Sequence, residues 1–126
     1  NIDPGNLQQV AEGRRLYAEF CASCHGARLE GQPNWRQPTA DGSLPAPPHD
    51  ASGHTWHHPD AMLFATTKFG GQVYAPQGFV SAMPGFEDQL SDKDIMSTLA
   101  YIKSRWPAEV RQRQQAINER YRQQNG

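Results

Sequence analysis

The stretch from Gly26 to His57 constrains this chain more than any other feature. It carries no sustained hydrophobic period, and it holds five of the ten prolines, at Pro33, Pro38, Pro45, Pro47 and Pro48. Proline is excluded from helix interiors and from central strands, so regular structure is ruled out over most of this stretch. A structureless loop of such length is uncommon in a small domain. It is either disordered or wrapped around something that supplies its core. Trp35, Leu44 and Trp56 favour wrapping, because disordered segments are poor in large apolar side chains.

The chain has 126 residues, the size of one domain. Its hydrophobic share of 37% is thin but sufficient for a folding chain. No apolar run approaches the ~20 residues needed to span a bilayer. The formal net charge of −1 argues against nucleic-acid binding. Cys21 and Cys24 stand three apart. A bridge between them would close almost no loop and could not staple a fold. Their role is therefore chemical.

Helical periods flank the irregular stretch. The first helix is expected from Leu7 to Phe20, with Asn6 as N-cap and Gln9 completing a capping box. Val10, Gly13 and Tyr17 lie on one stripe. Gly13 costs ~1 kcal/mol against Ala in a helix interior. It marks either a close helix approach or a tolerated surface position. A short helix is expected over about 59–69, with Pro59 at its first position, Asp60 complementing the dipole, and Gly70–Gly71 stopping it. Residues 72–89 read as a second loop. The next helix carries Ser91 as N-cap, Asp94 three residues on, and a Leu90–Ile95 staple. Its stripe is Ile95, Leu99, Ile102 and Trp106, and Pro107 ends or kinks it. Residues 108–124 read as a final helix with a narrow stripe of Val110, Ile117 and Tyr121, mostly solvated. Six basic and two acidic residues lie from Lys103 onward, so the molecule is a charge dipole that can orient a partner.

Residues 21–25 read Cys-Ala-Ser-Cys-His. This is the attachment pattern of c-type haem. Two thiols three apart can reach the two vinyl groups on one haem edge, and the adjoining imidazole then reaches the iron. A thioredoxin-like CxxC would follow a strand in a βαβ pattern, and none is present. A structural zinc site would need two further ligands, available in principle from His49, His54, His57 or His58. For a second axial ligand the candidates are Met62, Met83, Met96 and the spare histidines. Met62 and Met96 fall inside expected helices, where Met is ordinarily core filling. Met83 lies in a loop 58 residues beyond His25, followed by Pro84-Gly85, a turn able to hold a thioether outward. A thioether favours reduced iron, and two protein axial ligands leave no open site for substrate.

These motifs, in this order, resemble a class I bacterial monohaem cytochrome c over about residues 6–106. The resemblance implies an all-α cytochrome c fold, with three main helices and Pro-rich loops around one covalent haem c. Residues 107–124 would be a helical extension of that core, within a single domain of residues 1–126. It implies thioethers at Cys21 and Cys24, axial ligation by His25 Nε2 and Met83 sulfur, and a proline carbonyl accepting from His25 Nδ1. Pro47 is favoured for that carbonyl over Pro45. A Trp or Tyr often holds a haem propionate in the family; Trp56 is the candidate here, with Arg36 and Tyr74 behind it. Gly13 and Tyr17 would meet the helix bearing Leu99 and Tyr101, which selects the close-approach reading of Gly13.

The implied function is electron transfer by Fe(III)/Fe(II) cycling, not catalysis, with other redox proteins docking transiently on a monomer or on a subunit of a redox complex. A periplasmic location is expected, and a chain beginning at Asn1 rather than Met is consistent with it. If Met83 failed to bind iron, an open-site haem enzyme or gas sensor would be the alternative, and a haem-free zinc or thiol module is a further one. The cluster His49, His54, His57 and His58 is either a second metal site or a hydrogen-bonding group at the propionate edge.

Overall fold

Helix α1 spans Leu7–Phe20, and Asn6 caps it by accepting from the Gln9 N–H at 3.0 Å. The capping box expected there is only half formed. The Gln9 side chain accepts from Asp3 N–H and donates to the Asn1 carbonyl instead of returning to Asn6. A computed structural model describes residues 1–125. Beyond α1 it contains α2 (Ala22–His25), a 3₁₀ turn at Thr55–His57, α3 (Asp60–Phe69), α4 (Asp92–Ser104) and α5 (Ala108–Asn125). Among the described residues there is no strand, only an isolated parallel bridge between Ser43 and Val80 that ties the two long loops together.

The core lies where α1 crosses α4. Leu16, Tyr17, Ile95, Leu99, Ile102 and Trp106 are buried there, joined by Leu29 from the long loop and by Leu90. Burial of this apolar surface is the dominant favourable term. Gly13 sets the crossing distance: a Cβ on it would stand 1.8 Å from the Ser97 carbonyl oxygen and 2.9 Å from Tyr101 Cβ. Tyr101 fills the neighbouring space, with its ring centroid 5.5 Å from that of Tyr17. The start of α4 is a full capping box between Ser91 and Asp94, with Leu90 and Ile95 buried beside it.

One boundary differs from expectation. Pro59 is the N-cap of α3 rather than its first residue, and it offers no side chain to cap the helix. Helix α4 ends at Ser104 with Arg105 as its C-cap, as expected of a helix running toward Pro107, and the Pro107 carbonyl starts α5 by accepting from Val110 and Arg111 N–H. The buried face of α5 is also different. It consists of Val110, Gln114 and Asn118 at intervals of four, whereas Ile117 and Tyr121 are only half-buried. Two amides and Val110, rather than a continuous apolar stripe, dock this helix.

Candidate haem site

The motif Cys21-Ala22-Ser23-Cys24-His25 follows α1 without a break and coils into the single turn α2. Cys21 is half-buried, Cys24 is exposed, and both are free thiols. Burial pushes the Cys21 thiol up to about 11, and the neighbouring Cys24 adds to the shift. His25 is 6% exposed. Its Nδ1 lies 2.8 Å from the Pro47 carbonyl oxygen. A carbonyl can only accept, so Nδ1 carries the proton and the Nε2 lone pair is left for a metal. Burial holds this imidazole below its ordinary pKa and so favours the neutral ring, while the Pro47 hydrogen bond pulls the other way.

Several contacts of the long loop bring Pro47 to that position. The Gly31 N–H donates to the His25 carbonyl at 2.6 Å, and Gln32 N–H donates to Ala46 O at 2.9 Å. Gly31 has φ +74°, and a Cβ there would meet Pro48 N at 2.5 Å and Pro47 C at 2.7 Å. Only glycine satisfies both the backbone conformation and the close approach. Leu29, 1% exposed, also takes a left-handed conformation, with φ 65°. Its strain is held by core burial and by its carbonyl, which accepts from His49 and Asp50 N–H. Tyr17 closes the turn after His25, its hydroxyl donating to Gly26 O at 2.7 Å. The long loop is therefore ordered, and it turns its backbone polar groups toward the CxxCH turn.

Met83 lies in the second loop, half-buried, with its carbonyl accepting from Gly71 N–H at 3.1 Å and its N–H donating to Ser81 Oγ at 3.2 Å. Just beyond it, Phe86 and Glu87 N–H donate to the Thr67 and Lys68 carbonyls at the end of α3. The loop thereby satisfies orphan carbonyls of that helix, and α3 in turn anchors the loop.

The remaining expected residues are placed less directly. The Trp56 indole N–H donates to Ala51 O at 3.2 Å and its ring stacks on His57, so a propionate would have to share that donor. Arg36 is exposed, its guanidinium 4.3 Å above the Trp35 ring. Tyr74 is 50% exposed in the second loop, near Phe69, Val73 and Val80 in sequence, which are also large apolar residues left exposed. The four histidines do not converge. His49 stacks on His25 with centroids 3.9 Å apart and contacts Thr55 Oγ1 through Nδ1 at 2.7 Å, while His54 packs against Trp35 and His57. Among the described residues no group of three or more His, Cys, Asp or Glu is arranged to hold a metal ion. Sequence reasoning did not foresee the contact between His49 and His25, because two imidazoles 24 residues apart meet only through the loop's tertiary path.

The donor types fit haem c. Two free thiols stand one turn apart, a buried imidazole is oriented through Nδ1, and a thioether sits on an anchored loop. Comparison with curated proteins and with solved structures gives no match. The family model described as cytochrome c oxidase, cbb3-type, subunit III matches residues 8–102, a span that holds the CxxCH turn, Pro47 and Met83 and stops before α5. With the all-helical fold and this donor set, the chain belongs to that cytochrome c family.

Proposed function

We propose that this domain is an electron carrier in which Cys21 and Cys24 hold one haem c through thioethers, with His25 Nε2 and Met83 sulfur as axial ligands. The bound haem supplies the one-electron chemistry, by cycling between Fe(III) and Fe(II). The chain's residues do the rest. Pro47 fixes the tautomer and rotation of His25, and it raises the ring's basicity. The loop from Met83 to Glu87, tied to α3, keeps a thioether available on a supported backbone. Trp56, Arg36 and Tyr74 are the proposed donors toward the propionates. The hydrogen bond from His25 to Pro47 carries the reading, since a histidine with Nδ1 engaged and directly following CxxC is organised for metal ligation at Nε2.

Electrons would pass by way of the exposed edge at Cys24. The partners are other redox proteins, docking transiently on a monomer or on a subunit of a redox complex, and the family's description as an oxidase subunit supports such a setting. Among the described residues no helix is long and apolar enough to cross a membrane. The proposed location is periplasmic, as is common for bacterial domains of this kind.

The test is the visible spectrum of the oxidised and reduced protein, compared with Met83→Ala. The expected result is a low-spin c-type spectrum with a weak far-red band in the oxidised form. In Met83→Ala that band disappears, the potential falls, and the reduced form binds carbon monoxide. Carbon monoxide binding to the untreated reduced protein would overturn Met83 ligation and move the assignment to an open-site haem protein.

A further inference from the structure

Helix α5 lies beyond the span matched by the family model, and its buried face holds two amides, Gln114 and Asn118, beside Val110. It packs against the 3₁₀ turn Thr55–His57, and the hydrogen bonds of its buried amides reach His58 and the first residue of α3. Asn118 Oδ1 accepts from the Asp60 backbone N–H at 2.7 Å. Gln114, 0% exposed, donates through Nε2 to Asp60 Oδ1 at 2.7 Å and to His58 O at 3.1 Å. Lys103 Nζ, on α4, reaches both Asp60 carboxylate oxygens at 3.0 and 3.1 Å. Gln114 and Asn118 are also joined to each other through their amides.

This arrangement repairs a defect of α3. Its N-cap is Pro59, which makes no side-chain cap. An uncapped N-terminus leaves backbone N–H groups without partners. Asn118 supplies the missing acceptor from 58 residues away. Helix α3 has ten residues, a length at which an isolated helix is marginal in water. Its other end is completed by the Met83 loop, through Phe86 and Glu87 N–H on the Thr67 and Lys68 carbonyls and through Gly71 N–H on Met83 O. Both ends of α3 thus depend on distant segments, with α5 at one end and the Met83 loop at the other.

We propose that α5 is a positioning element for the Met83 loop, acting through α3, with Asn118 and Gln114 as the positioning residues. A helix that frays at its N-terminus holds its C-terminal carbonyls less firmly, and those carbonyls carry the loop. As a statement about an iron ligand, this rests on the assignment of Met83 above. As a statement about the loop, it stands on the hydrogen bonds alone.

The experiment is native-state amide exchange on the full-length protein as purified, comparing the parent with Asn118→Ala and, separately, Gln114→Ala. The expected result is about a tenfold loss of protection, the scale of one lost hydrogen bond, at the amides of Phe86, Glu87 and Gly71. Amides in the middle of α1 and α4 keep their protection. Loss confined to α5 and to the Asp60 amide would overturn the proposal. So would an equal loss throughout the chain, which would mean that α5 adds only global stability. The far-red band of the same samples separates the two readings. If the parent lacks the band while exchange still propagates to Phe86 and Glu87, Met83 ligation fails and the α3 strut stands. If the band is present and exchange does not propagate, the strut fails and Met83 ligation stands.

Discussion

Cys21 and Cys24 are three residues apart and chemically identical, yet the fold treats them differently. Cys24 is exposed; Cys21 is half-buried, with its thiol raised to about 11 by burial. The thiolate is the reactive form. In the haem-free chain, Cys21 is therefore expected to react with an alkylating reagent at pH 8 more slowly than Cys24. Its rate should continue to climb as the pH approaches 11. Mass-spectrometric mapping of the alkylated sites over a pH series measures both, and equal rates at the two thiols would contradict this packing. At this scale the chemistry was plain from residue type and spacing, since CxxCH is a contiguous motif. The inequality of the two thiols was not, because burial is a property of everything packed around a residue. His25 shows the same division. Its being a ligand candidate follows from the motif, but the acceptor at Pro47 required Gly31 and Leu29 to bend the intervening loop.

At the scale of elements, helices with an apolar stripe and a local cap were legible. Helix α1 and the start of α4 match their periodicity and capping residues because those signals act within a few residues of the chain. Helix α5 is mostly exposed, as its composition suggested, but its docking residues were not legible, because Gln114 and Asn118 at an interval of four look like a solvated face until a partner is known. The partner is Asp60 with Lys103, a pair in which Lys103 is 4% exposed. Lys103→Met is expected to destabilise the folded protein by about 2–3 kcal/mol, somewhat under the usual cost of breaking a buried pair, because Asp60 is partly exposed. Denaturant unfolding of the two proteins measures this, and a change below about 0.5 kcal/mol, as for a surface pair, would contradict it.

At the scale of the molecule, Phe69, Val73, Tyr74 and Val80 remain exposed around the second loop. Large apolar side chains left exposed are candidates for cover by a ligand or partner. A ligand that binds only the folded state adds its binding free energy to stability. The haem-free chain is therefore expected to bind an apolar dye such as ANS and to unfold at a lower denaturant concentration than the haem-loaded protein. Dye fluorescence and unfolding midpoints of the two forms check this. Equal midpoints would contradict a haem that organises the fold.

The contiguous signals of this chain determined its helical class and its haem motif, because each depends on residues within one helix face or one short motif; at Gly13 they left two readings open, and the resemblance selected the close approach. The tertiary structure decided where His49 lies and which residues α5 meets. Those outcomes depend on the path of the long Pro-rich loop and on polar pairs separated by more than fifty residues, such as Asp60 with Gln114 and Asn118. No local propensity encodes such pairs. They form only when the apolar crossing of α1 and α4 has brought their backbones together, after which leaving any buried donor or acceptor unpaired would cost more than the chain could recover elsewhere.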